Sequence, residues 1–386
     1  MSHLITGMGA VASTGPDLDR LFAALCAGRS GLAPLRGFTP DRFRAVNAYE
    51  IDDRPPGGGD EPLRATRWLE QAVAAAAKDA GLGEDLSDVP VLIGTTLREL
   101  RSVELNWRDG TEFDLRELHF GAMLRRRFGA AQTYTVANAC SASLYALALG
   151  ADLLDLGAAD TVVVAGTDTI TESTYGLLDR CYPEAPDRVR PFDRNRRGML
   201  QGDGAVALVL RREADGPAGG TAHARVRSVA VNCDAHHPSA PNAASIAVAM
   251  REAHERAGLG PADIDLLMLH GTGTALNDEA EAEAVGTVFA GLDPTPWMTA
   301  VKSMIGHTAG ASGLHSLLTA VRSMHAGVVP PILGLDDPID EVRDFRLVRD
   351  EALRVPGTLR TAQVDAFGFG GLNAVAVVEN IVEKVA

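Results

Sequence analysis

Short runs of valine, isoleucine and leucine alternate with alanine-rich stretches along the whole chain, and this alternation most limits what it can fold into. A brief apolar, β-branched run reads as a strand. A longer stretch of strong helix formers without proline reads as a helix. The expected strands are 4–6, 89–94, 133–136, 161–166 and 205–210, then 225–231, 266–270, 297–301, 363–366 and 374–378, with helices such as 61–80 and 246–257 between them. Strands that alternate with helices make an α/β protein. The two sets of five flank a turn-rich polar joint, READGPAGGTA, at 211–221, so the chain reads as two α/β halves of similar layout. The stretch PPGGGDEP, 55–62, is expected to be a surface loop.

At 386 residues the chain is too long for one ordinary domain. Its net charge of −15 argues against nucleic acid, which needs a basic surface. No run approaches a membrane span, and MSHLITGMGAVASTG lacks the basic and apolar regions of a signal peptide. Four scattered cysteines, Cys26, Cys140, Cys181 and Cys233, suggest a reducing, cytoplasmic setting and form no zinc pattern.

Chemistry concentrates where strands meet helices. In TYTVANACSASLYALALGADLL, 133–154, Cys140 sits at such a seam, where the partial positive charge of a helix start favours a thiolate. In LHGTGTALNDEAEAEAV, 269–285, His270 ends an apolar strand. In AVKSMIGHTAGASGLHS, 300–316, Lys302 precedes His307 in a glycine- and alanine-rich loop. DAFGFGGLNA, 365–374, has glycines that admit a ligand close to the backbone. A metal site from Cys233, Asp234, His236 and His237 with His270 fits no standard spacing, and GMGAVASTG lacks the full dinucleotide fingerprint.

Taken in order, LITGMGAVASTG, NACSAS, RPFDRNRRGMLQGDGAVALVL, CDAHHPSAP, HGTGT, KSMIGH and FGFGGLN resemble the β-ketoacyl-[acyl carrier protein] synthases, condensing enzymes of the thiolase superfamily, over nearly the whole chain. HGTGTALND is similar to variants in type II polyketide and polyene pathways. The resemblance implies a thiolase-like fold of duplicated halves in five αβαβα layers, with two five-stranded sheets. Residues 1–218 would carry the nucleophile cysteine and 219–386 the two histidines. It implies decarboxylative Claisen condensation of an acyl group on Cys140 with malonyl-acyl carrier protein, in polyketide or fatty acid biosynthesis. His270 and His307 would stabilise the enolate, and Lys302 would stand as a fixed cation. Phe369 would gate the pocket and share the oxyanion hole with the Cys140 backbone. Thr272 and Thr274 would hold the pantetheine arm, and Asn373 would order the gate loop. No metal or cofactor is implied beyond the phosphopantetheine of the carrier protein. The implied partners are that carrier and a second subunit, identical or chain-length-factor-like. The rival readings are an acyltransferase or thioesterase on the same scaffold and a non-catalytic chain-length-factor-like subunit, which would lack the cysteine.

The chain departs from the family pattern at Ser316, where a glutamate is usual, at Leu372, where a threonine is usual, and in a shortened Thr95–Phe128 segment. Asp278 and Glu281 stand three apart and can share a helix face. Glu281, helped by Asp278, is therefore expected to pair with Lys302 and make good the lost glutamate. Arg64, Arg67 and the Arg125-Arg126-Arg127 run are the expected docking patch for an acidic carrier.

Overall fold

A computed structural model describes residues 2–55, 58–213 and 221–381. Part of the 55–62 loop, most of the 211–221 joint and the expected boundary between residues 218 and 219 lie outside the described residues. In the first half, strands β1 (His3–Ala12), β2 (Val91–Gly94), β3 (Thr133–Val136), β4 (Thr161–Asp168) and β5 (Gly204–Arg212) form a sheet in the order β1-β5-β4-β2-β3. In the second, β6 (Ala224–Cys233), β7 (Leu266–Met268), β8 (Trp297–Thr299), β9 (Thr361–Gly368) and β10 (Leu372–Asn380) run β6-β10-β9-β7-β8. Strand sense repeats as well. The first three strands in each order are antiparallel neighbours and the last pairings are parallel. Chain order, sheet order and strand sense therefore make the second sheet a copy of the first.

Five helices build the layers. Helix α1 (Arg64–Asp79) covers the outer face of the first sheet, packing on β1, β4 and β5. Helices α3 (Ala243–Ala257) and α4 (Ala275–Val288) lie together on the far side of the second sheet, with α3 against β6 and β10. Between the sheets run α2 (Ala142–Asp155) and α5 (Ser312–Ala326), each touching strands of both halves. This is the five-layer arrangement. Because helices cover both faces of each sheet, central strands carry no polar side. All of β1, and β4 from Val162 on, are buried, which is why they read as continuous apolar runs in sequence.

The structure refines the sequence reading in two ways. β1 runs to Ala12, because it pairs with β5 along its whole length. The two sheets are also continuous, as His3, Leu4 and Ile5 pair with Val226, Arg225 and Ala224 in an eleven-stranded sheet closed by a two-residue edge strand at Arg346–Leu347. Among the described residues no helix is long and apolar enough to cross a membrane.

One expectation fails at α1. Arg64 is not a surface cation: it is 2% exposed and bonded to Asp53, Asp60 and Asp203. Asp53 and Asp60 come from the segment ahead of the helix, and Asp203 from the residue just before β5. Arg67, Arg126 and Arg127 stay more open but are paired with Glu61, Glu117 and Glu84 respectively. Their charge is largely matched within the chain.

Candidate active site

Cys140 lies in a short 3-10 turn, Ala139–Ser141, that joins β3 to α2. The residue before it, Ala139, has φ 51°, a left-handed conformation costly for a residue with a side chain. The same device recurs in the second half. Ala309 has φ 45° and opens the 3-10 turn Ala309–Ala311 ahead of α5. The two elbows touch, and Ser312 Oγ donates to Cys140 O at 3.2 Å. Gly94, at the end of β2, lets the start of α2 press onto the strand: a Cβ there would stand 2.3 Å from Ser143 N. Both elbows are thus held from several sides.

His270 lies two residues past β7, and His307 two residues past a short helix, Lys302–Ile305. The fold brings both to Cys140. The nearest donor atoms of the three side chains are within 4.8 Å of one another, and the imidazole centroids are 5.5 Å apart at 82°. Lys302, buried, bonds through Nζ to His270 Nδ1 at 3.2 Å and to His270 O at 2.5 Å. An ammonium can only donate, so Nδ1 of His270 accepts and the ring proton sits on Nε2. The Ala309 N–H donates to His307 Nδ1 at 3.0 Å, which fixes the same tautomer. His307 Nε2 is buried with no partner, so its N–H is a free donor in the cleft. Burial first, and the Lys302 charge second, hold both imidazoles well below their ordinary pKa, so both are neutral.

The thiolate expected at Cys140 is corrected. Burial pushes the thiol up to about 11. Lys302 opposes this, Asp168 adds to it, and the N–H groups of Phe369 and Cys140 lower it a little. The helix start does not outweigh desolvation, and the resting group is the thiol. Those two N–H groups lie at the sulfur, where an oxyanion on an attached acyl carbon would form.

The pairing expected of Glu281 is also corrected. Its carboxylate accepts from the N–H of His270 at 2.6 Å and of Gly271 at 2.9 Å, and it makes no ion pair with Lys302. Asp278 accepts from Phe192 N at 2.7 Å and from Thr272 N and Gly273 N at 3.2 Å each. Both carboxylates lie on one face of α4, as the spacing implies, but the HGTGT turn folds its N–H groups onto them first. They act on Lys302 only through space: burial raises Glu281 and lowers Lys302, each charge partly offsetting the other's shift. Ser316 is buried on α5, and Lys302 makes no hydrogen bond to it.

Cys140, His270 and His307 open into a cavity of about 520 Å³. Thr272 and Thr274 line it, their hydroxyls 2.9 Å apart, and Thr274 also caps α4. Phe369 stands half-exposed at its rim. Asn373 is buried in its wall and bonded to Asn232 at 2.9 Å. Leu372 begins β10 opposite Cys233. The side chains of Cys233, Asp234 and His237 brace a loop: Cys233 donates to Gly370 O, Asp234 accepts from His236 N and Asn242 N, and His237 accepts from Ser239 N and Ala240 N.

Sequence reasoning missed Asp168. It is fully buried at the end of β4, with its pKa raised to about 6 by desolvation, and it gathers Thr95 Oγ1 and the N–H groups of Thr96, Leu97 and Gly310. Its position at the end of an apolar strand was the available signal. The apolar wall of Leu178, Tyr182 and Met199 was missed too, although Met199 stands within the RPFDRNRRGMLQGDGAVALVL stretch.

Two family models match the chain. One, described as the beta-ketoacyl synthase N-terminal domain, covers residues 4–216. The other, the C-terminal domain, covers 223–336. The chloroplastic 3-oxoacyl-[acyl-carrier-protein] synthase I of Hordeum vulgare is 28% identical over 414 residues, which is 97% of this chain and 88% of that protein. The highly reducing polyketide synthase ALT1 of Alternaria alternata is 33% identical over 260 residues, 65% of this chain, and the match spans 10% of that longer protein. Among solved structures, the ishigamide ketosynthase/chain length factor matches with TM-score 0.88 and 30% identity over 99% of both chains.

Proposed function

We propose the following cycle for this chain, which belongs to the β-ketoacyl synthase family. The Cys140 thiol takes an acyl group from a carrier-protein thioester. The acyl carbon bonds to sulfur, the carrier thiol leaves, and the Cys140 proton ends on it. The N–H groups of Cys140 and Phe369 receive the oxyanion.

A malonyl thioester then enters, and its thioester carbonyl accepts from Nε2–H of His270 and of His307. Loss of carbon dioxide leaves the electron pair on the α-carbon as an enolate whose oxygen these donors hold. Because both imidazoles are neutral and enclosed, they stabilise the charge without quenching it by proton transfer. The α-carbon attacks the acyl carbonyl on Cys140, and the tetrahedral adduct collapses. The β-ketoacyl thioester stays on the carrier, and the Cys140 sulfur takes a proton from solvent. Each charge that forms meets a donor of the chain, so the cycle draws on no metal or redox group.

One observation carries this reading: the unpartnered, buried Nε2 of His307, beside Cys140 and His270. Thr272 and Thr274 would guide the pantetheine arm, Phe369 would gate the acyl side, and Asn373 would brace the gate through Asn232. Glu281 and Asp278 would hold the turn that presents His270, with Lys302 fixing its tautomer. Residues 1–218 and 219–386 are read as the two halves that supply cysteine and histidines. The carrier is an acyl carrier protein, as the name of the barley relative supports. The second subunit is a copy of this chain or a chain-length-factor-like partner, and the solved ketosynthase/chain length factor supports the latter. The four cysteines are free thiols, which suits a cytoplasmic setting. The test is release of carbon dioxide from malonyl-carrier protein by the wild type and by His307→Ala. A loss of about 100- to 1,000-fold in the variant is expected. Acylation of Cys140 without any carbon dioxide release would favour the acyltransferase reading.

A further inference from the structure

Cys140, His270 and His307 have the outline of a catalytic zinc site: one sulfur and two imidazoles, donor atoms within 4.8 Å of one another, in a cavity with room for a fourth ligand. We propose that the cluster is a latent site for a thiophilic divalent cation, kept closed by the two hydrogen bonds that fix the imidazole tautomers. The proposal does not depend on the catalytic roles.

An imidazole ligates a metal through a nitrogen lone pair. With both Nδ1 atoms taken by donors, the nitrogens left to the cleft are the Nε2 atoms, and both carry the ring proton. To free Nε2, the proton must move to Nδ1. Metal-binding histidines are normally supported there by an acceptor, a carboxylate or a carbonyl, that takes the Nδ1–H. This site offers the reverse. His270 Nδ1 faces the Lys302 ammonium at 3.2 Å, and His307 Nδ1 faces the Ala309 N–H at 3.0 Å. Both partners are donors. Moving either ring proton would set two N–H groups against each other and leave a buried donor without a partner. The Lys302 charge adds direct repulsion of any cation bound at His270. Glu281, which could have supplied an acceptor, is spent on the N–H groups of His270 and Gly271. Two features that aim N–H donors into the cleft therefore also close it to metal.

Among the described residues no other cysteine, histidine or carboxylate joins this cluster, and Cys181, which also lines the cavity, lies outside it. Cys233, Asp234 and His237 spend their polar atoms on their own loop and the glycine turn.

The test is Zn²⁺ titration by calorimetry, with metal content counted after dialysis, on wild type, Lys302→Gln, Lys302→Met and Lys302→Gln combined with Cys140→Ala. Glutamine can turn its carbonyl oxygen to His270 Nδ1 and accept its proton. Methionine removes the charge and the donor but offers no oxygen to accept the proton. Lys302→Gln opens His270 and leaves His307 held by the Ala309 N–H, so it is expected to bind one Zn²⁺ per chain through Cys140 and His270 at least about 100-fold more tightly than wild type, with Lys302→Met between them and the Cys140→Ala double variant back at the wild-type level. Cys140-dependent binding by wild type as tight as by Lys302→Gln would overturn the proposal. So would a folded Lys302→Gln that gains no Zn²⁺. If the variants do not fold, ¹⁵N-histidine spectra of the wild type decide: both rings protonated on Nε2 supports the lock, and an Nδ1–H on either ring refutes it.

Discussion

The ionisation of Cys140 is decided by enclosure rather than by the helix behind it. A thiol held near 11 presents little thiolate at neutral pH, so its alkylation by iodoacetamide, followed by the mass of the Cys140 peptide, should accelerate steadily through pH 9. A plateau below pH 8 would mean the cleft favours the thiolate after all. The same raised pKa bears on stability. Above about 9 the unfolded thiol ionises while the buried one does not, so this contribution is lost as pH rises toward 11. Glu281 acts at the next remove. Its two oxygens receive His270 N–H and Gly271 N–H, and an amide can accept only one of them. Glu281→Gln should cut condensation by about 10- to 1,000-fold through a misplaced His270. Near-wild-type turnover would detach the turn's geometry from the chemistry. None of this was legible in sequence. Spacing of i to i+3 put Asp278 and Glu281 on one face, but not which donor would reach them first. The backbone of a tight turn outcompeted a lysine that arrives from the separate short helix Lys302–Ile305.

At the level of elements, the paired elbows set the geometry. Gly310 stands in the second elbow where Cys140 stands in the first, and its N–H donates to Asp168 at 2.7 Å. A Cβ on Gly310 would lie 2.5 Å from Thr95 Cα, so Gly310→Ala must push apart the elbow and the turn after β2. A loss of about 1–3 kcal/mol, read from the urea midpoint, is expected. Unchanged stability would show that the two loops are not tightly joined. The central strands were legible, because strands covered on both faces must be apolar throughout, as in the 161–166 run within β4; the more open 133–136 run also coincides with β3. Their ends were not: β1 reaches Ala12 because β5 is there to pair with it, a fact of register rather than of composition. The positions of Cys140, His270 and His307 past strand or turn ends were also readable. Their convergence depends on two halves folding back on a shared pair of central helices, which no local pattern states.

Across the whole molecule, a net charge of −15 makes any cationic surface informative. Of the expected patch, Arg64 drops out because it is buried and Arg67, Arg126 and Arg127 are paired, while Arg125 stays exposed. An open groove of about 730 Å³ offers another surface, lined by Arg42, Trp107, Arg108 and Arg180, with Trp107 90% exposed. Glu172 is taken up by Arg108, and Glu104 by the backbone of Glu172 and Ser173, so Arg42 and Arg180 remain the open cations. Leu177 borders both this groove and the catalytic cavity, so a carrier seated here would stand at the entrance. Arg42→Glu with Arg180→Glu should raise KM for an acyl-carrier thioester several-fold, more at low salt, and leave KM for the matching acyl pantetheine unchanged. Equal effects on both substrates would place the carrier elsewhere.

The central claim is that Cys140 carries the acyl group while the two histidines drive loss of carbon dioxide. Its most direct test is a single turnover with acyl-loaded and malonyl-loaded carrier proteins, following the intact mass of the enzyme and the carbon dioxide released together. The expected record is an acyl adduct on Cys140 that disappears as one carbon dioxide is released for each β-ketoacyl carrier formed, and no adduct on Cys140→Ala. An adduct that persists on Cys140→Ala, or product formed with no carbon dioxide, would contradict it.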